Sequence, residues 1–144
     1  MISNRSFYTV KFAIISLLIV GCSINRYKND VKVGKWVETH DIDGTTYKRI
    51  EFYKRGKEKG TWKVYAGKTL QKKEKYRKDT CYTTIYYPDG TVSSRGKSMT
   101  RREKDNSLHW FYTGDWKFYN KAGKLEFIRN YVNGMKTTEI EVKK

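Results

Sequence analysis

The sequence is poor in the residues that carry most familiar chemistry. It holds two cysteines, Cys22 and Cys81, in 144 residues, too few for a disulfide framework. A single proline, Pro88, excludes a proline-rich linker. The two histidines, His40 and His109, lack the spacing of a metal pair. No Gly-rich phosphate loop, serine nucleophile elbow or acidic metal cluster occurs. The longest apolar run, Phe12 to Val20, is about half of the ~20 residues that a transmembrane helix needs. From Val33 onward no stretch keeps a helical apolar period for three turns. Acids are scarce too, with 15 Asp and Glu against 31 Lys and Arg. Together these absences point away from a disulfide-stapled, metal-dependent or helical protein, and away from an enzyme.

What is present is positive charge and aromatic side chains. The formal net charge is +16, and aromatics are 15% of residues, with 12 Tyr and 4 Trp. That aromatic content argues against disorder despite the charge. The charge favours an anionic partner: a membrane surface, an acidic polymer, an acidic protein or nucleic acid. The length fits one domain.

The amino-terminal segment has the pattern of an export signal. Arg5 and Lys11 supply basic charge without any acid, the apolar run Phe12–Val20 follows, and Gly21-Cys22 closes it. Ile19-Val20-Gly21-Cys22 resembles the bacterial lipobox. The resemblance implies cleavage before Cys22, a diacylglycerol on its sulfur and acylation of the new amino end. Several acyl chains anchor a protein stably where one does not. The mature chain is therefore expected to sit in the cell envelope, facing out of the cytoplasm. By analogy with enterobacterial sorting, Ser23 rather than Asp after the cysteine points to the outer membrane in a cell that has one. Residues 1–21 are then the signal helix, residues 22–32 a polar tether, and residues 33–144 the folded domain.

That domain reads as all-β. Ile50 and Phe52, Trp62 and Val64, Trp116 and Phe118, and Leu125 and Phe127 each alternate with polar or charged neighbours, the period-two pattern of half-buried strands. Turn signals separate them: Asp43-Gly44, Ala66-Gly67, Pro88-Asp89-Gly90, Ala122-Gly123 and Asn133-Gly134. The expected architecture is an antiparallel meander of repeated hairpins, in a single-layer or loosely rolled sheet.

The strands are also self-similar. Gly34-Lys-Trp36, Gly60-Thr-Trp62-Lys-Val-Tyr65 and Gly114-Asp-Trp116-Lys-Phe-Tyr119 share Gly-x-Trp, and Ile85 to Val92 is a degenerate copy with Tyr for Trp. The spacing of about 24–30 residues marks a repeat architecture. Gly114 to Gly134 resembles one full unit of the MORN-like repeat, and Gly60 to Tyr76 a partial one. Ser94 to Ser107 departs from it and reads as a charged insertion. Related repeats occur in bacterial lipoproteins and in antitoxins of toxin–antitoxin pairs. The resemblance thus implies an interaction module or, alternatively, an antitoxin or immunity protein that neutralises a cognate toxin. Trp36, Trp62 and Trp116 are expected in the core, where repeats stack. Trp110 lies outside the repeat frame and is a candidate binding platform.

Three basic clusters are candidate binding residues: Lys54, Arg55, Lys57 and Lys59; Lys72, Lys73, Lys75, Arg77 and Lys78; and Arg101, Arg102 and Lys104. All read as lying at or near turns. A basic surface on an exported, tethered protein meets lipid head groups, acidic envelope polymers or acidic proteins, and the export signal argues against nucleic acid. His40, His109 and Cys81 would need to converge in the fold to support catalysis, and a buried strand cysteine is the preferred reading of Cys81. No small-molecule substrate or cofactor is evident. The expected function is a lipid-anchored envelope module that presents a basic surface to an anionic or acidic partner.

Overall fold

The computed structural model describes residues 23–77, 80–105 and 107–143; the expected signal helix and Cys22 lie outside them. The described chain is all-β. Its strands are β1 (Arg26–Lys28), β2 (Val31–Ile42), β3 (Thr45–Lys54), β4 (Lys57–Glu58), β5 (Gly60–Ala66), β6 (Thr69–Arg77), β7 (Thr80–Tyr86), β8 (Val92–Arg102), β9 (Leu108–Tyr119), β10 (Leu125–Val132) and β11 (Met135–Glu141). They form one open antiparallel sheet in sequence order, with the two-residue β4 paired only to β3. This is the expected meander.

The turns follow from backbone chemistry. Asp43-Gly44, Arg55-Gly56 and Asn133-Gly134 have positive φ at both residues, the conformation of the two-residue turn that matches strand twist. The longer turns after β7 and β9 repeat each other. Tyr87 N–H donates to Thr91 O and Gly90 N–H to Tyr87 O; Asn120 and Gly123 do the same to Lys124 and Asn120.

The Gly-x-Trp motif has one structural meaning in all three copies. Gly34, Gly60 and Gly114 have φ of 73°, 72° and 65°, a left-handed kink that only glycine adopts without strain. The kink precedes an inward tryptophan. Trp62 donates its indole N–H to Phe52 O at 3.0 Å and Trp116 to Lys97 O at 2.7 Å. Both acceptors lie on the preceding neighbour in the sheet, β3 for Trp62 and β8 for Trp116. Trp36 follows only the three-residue β1, and its indole nitrogen has no partner among the described residues.

Directly paired residues share a face of the sheet. One face carries an aromatic ladder in which Tyr27, Trp36, Tyr53, Trp62 and Tyr76 touch ring to ring, with centroids 4.7–6.3 Å apart. The row continues through Cys81 and Ser98 to Tyr112, which stacks on Trp116 at 3.6 Å. Trp36, Trp62, Cys81, Phe111 and Trp116 are the buried apolar residues. Lys72 on β6 reaches within 5.2 Å of the Trp110 ring on β9, three strands away and so about 14 Å apart in a flat sheet. The ladder face is therefore concave.

Two sequence expectations need correction. Asn25 to Lys32, read as tether from polar composition, joins the sheet. The β1–β2 ladder and the Asn25 amide bonds to Val37 hold it there, because backbone pairing does not need apolar side chains. Ser94 to Ser107 is no insertion either: it is mostly β8. Its Ser94, Gly96 and Ser98 face the ladder side, and the Trp116 ring lies on Gly96. A strand whose inner residues must be small shows no hydrophobic alternation.

Candidate anion-binding face

The three basic clusters seen in the sequence do not form one surface. Lys54, Arg55 and Lys57 sit on the β3–β4 hairpin, with Lys54 directly opposite Lys57. Lys72 to Arg77 lie within β6 rather than at a turn, so period two sends them to opposite faces. Lys72 points to the concave face, where it pairs with buried Glu74 at 3.1 Å and covers Trp110. Lys73 and Lys75 point outward, and Arg77 ends the strand, exposed. Lys78 lies outside the described residues. Arg101 is paired to Glu103 at 3.1 Å and packs over Phe111, and Arg102 closes β8. Trp110 is 38% exposed and lies beneath Lys72.

A larger assembly of charge emerges on the outer face instead. Register puts Lys63 opposite Lys73, Lys73 opposite Thr84, Thr84 opposite Arg95 and Arg95 opposite Lys117. A second row, two residues along, runs Lys75, Tyr82, Lys97. The six cations span β5 to β9, about 19 Å at normal strand spacing. None of them makes an ion pair among the described residues. The one acid on the outward side of these strands, Asp115, accepts a hydrogen bond from Asn130 at 2.8 Å. Tyr82, 44% exposed, stands between Lys75 and Lys97. The first row ends in aliphatic pairs, Val37 opposite Ile50 on one side and Ile128 opposite Ile140 on the other.

Four of these cations, Lys63, Arg95, Lys97 and Lys117, were not singled out by sequence because each stands in a mixed context. A signal for two of them was present. Lys63 and Lys117 both follow the tryptophan of Gly-x-Trp-Lys. A residue next to an inward tryptophan on a strand must point outward, so the repeat itself sets lysine on the outer face.

The concave face handles charge in the opposite way. Glu51, 2% exposed, accepts from the Tyr53 hydroxyl at 2.8 Å and faces Arg49 and Lys32 at 3.4 and 3.8 Å. Burial, followed by the Glu51 hydrogen bond, pushes the Tyr53 phenol up, and burial with the Glu74 charge does the same to Tyr76. Both stay protonated. Neighbouring lysines should then behave oppositely. Lys72→Met is expected to cost about 2 kcal/mol, because it leaves Glu74 buried beside an uncharged chain. Lys73→Met should be neutral or slightly stabilising, since it relieves a directly opposed like charge. Urea unfolding of the two variants checks this; equal effects would refute the assignment of faces.

The residues weighed for catalysis do not converge. His40 is on β2, four strand spacings from Cys81 on β7. Cys81 lies on the ladder face, whereas His109 alternates with inward Trp110 and points outward. Burial also pushes the Cys81 thiol up, so it is a poor nucleophile near neutral pH.

No family model, curated protein or solved structure matches this chain.

Proposed function

We propose that this chain is a lipid-anchored module of the cell envelope that holds an anionic partner against its outer face. The observation that carries this reading is the double row of six cations without ion pairs, Lys63, Lys73, Lys75, Arg95, Lys97 and Lys117. Two of its contacts, Lys63 with Lys73 and Arg95 with Lys117, oppose like charges directly, an arrangement that costs stability. Solubility alone is served by a net charge of about 2–8, well below the +16 of this chain. Charge kept at the expense of stability fits a binding surface. The left-handed glycine two residues before Trp36, Trp62 and Trp116 supports a repeat-built, MORN-like scaffold, whose sheet spaces the cations.

The lipobox-like Ile19-Val20-Gly21-Cys22 supplies the anchor in this proposal. A tether at the amino end confines the basic face to within reach of one membrane. Cations near an anionic bilayer contribute about 1 kcal/mol each, so anchor and face reinforce each other. Fatty-acid labelling and membrane fractionation of wild type and Cys22→Ala test the anchor. Label on the wild type alone, with the variant lost from the membrane fraction, is expected. An unlabelled, soluble wild type would overturn the envelope assignment.

A further inference from the structure

A cavity of about 690 Å³ opens at the end of the sheet where β3, β4, β6, β7 and β8 meet, lined by Lys54, Lys57, Lys59, Tyr76, Cys81 and Met99 among others. It is separate from the basic outer rows, none of whose six cations lines it. Its size falls in the range of small-molecule sites, about 300–1,000 Å³.

One wall is the β3–β4 hairpin, which is held in place. Gly56 N–H donates to Lys32 O at 3.0 Å, and a side chain at Gly56 would meet Val31 at 3.1 Å, so the hairpin tip packs against the start of β2. This wall carries Lys54, Lys57 and Lys59 against a single acid, Glu58. Lys54 and Lys57 face each other directly across the ladder, and neither makes an ion pair among the described residues. The floor and far wall differ in character. Tyr76 belongs to the aromatic ladder, and the Cys81 thiol, 6% exposed, stands directly opposite it. A ring and a thiol beside three lysines form a divided lining, charged at one side and apolar at the other.

We infer that this cavity binds an anionic amphiphile. Its acidic head, a carboxylate, sulfate or phosphate ester, sits among Lys54, Lys57 and Lys59, and its apolar body covers Tyr76 and Cys81. An anion between Lys54 and Lys57 relieves their repulsion. An inorganic anion would leave the apolar floor wet, and a neutral lipid would take water from three ammonium groups without replacing their hydrogen bonds.

Cys81 provides the readout, because an occupant shields it. The full chain in an alkyl-maltoside detergent is treated with iodoacetamide at alkaline pH, and alkylation is read on the Cys81 peptide by mass spectrometry. Decyl sulfate is expected to slow alkylation of Cys81 about fivefold or more at saturation, whereas inorganic sulfate at the same concentration has no effect. Lys54→Gln/Lys57→Gln, in exposed hairpin positions, should need about tenfold more decyl sulfate for the same protection, equivalent to ~1.4 kcal/mol. Lys73→Gln/Lys117→Gln on the outer face should leave protection as in wild type, which separates this site from the proposed docking face. Absence of protection, protection by inorganic sulfate alone, or protection that the hairpin variant leaves unchanged would each overturn the assignment.

Discussion

Gly96→Ala is expected to destabilise the protein by about 3 kcal/mol, with overpacking as the main cause. Gly96 has no special backbone angle; space is the constraint. A Cβ there would lie 2.4–2.5 Å from three atoms of the Trp116 ring. The ring cannot step aside cheaply. Trp116 has no exposed surface, its indole N–H is bound to Lys97 O, and its other side is stacked on Tyr112. Moving it forfeits the hydrogen bond, worth about 1 kcal/mol, along with packing. In a domain whose total stability is about 5–15 kcal/mol, the urea midpoint should fall visibly. Trp116→Leu in the Gly96→Ala background should cost less than the two single changes added together, because the smaller side chain removes the clash. A Gly96→Ala midpoint within about 1 kcal/mol of wild type would show that β8 and β9 are not packed in this way.

Neutralising the first outer row, Lys63, Lys73, Arg95 and Lys117 all to Gln, is expected to move two measurements in opposite directions. Binding to vesicles of phosphatidylglycerol in phosphatidylcholine should weaken by about 10³-fold at low salt, from roughly 1 kcal/mol per cation. The wild-type affinity should itself fall as salt shortens the Debye length below ~10 Å. Stability should rise by about 0.5–1 kcal/mol, since two directly opposed like-charge pairs disappear. A merely solvated surface would give the gain in stability without any loss of binding. Loss of stability would mean that the packing of Arg95 over the Tyr119 ring outweighs the relieved repulsion. Binding retained to vesicles but lost to an acidic envelope polymer would identify the polymer as the partner.

Much of the sheet is legible in the sequence. Hairpin turns at Asp43-Gly44 and Asn133-Gly134 follow from residues that accept positive φ. Strands such as Trp116 to Tyr119 follow from alternation. β8 was misread for the reason that makes Gly96→Ala informative: its inner residues are small to admit a tryptophan from β9, so the pattern sits on its neighbour. β1 was missed because a three-residue edge strand is held by backbone and Asn25 amide bonds, which leave no side-chain period.

The sequence by itself determined the strand content, the meander, the inward tryptophans and the excess of positive charge, because each depends on local propensity, turn chemistry or composition. Only the tertiary structure decided which lysines belong together. Lys72 and Lys73 are neighbours in the chain, yet one is paired with buried Glu74 and the other faces out beside Lys63. Lys117 and Arg95, 22 positions apart, stand opposite each other. Strand register makes these assignments, and register is a property of pairs of strands, which no single stretch of sequence displays.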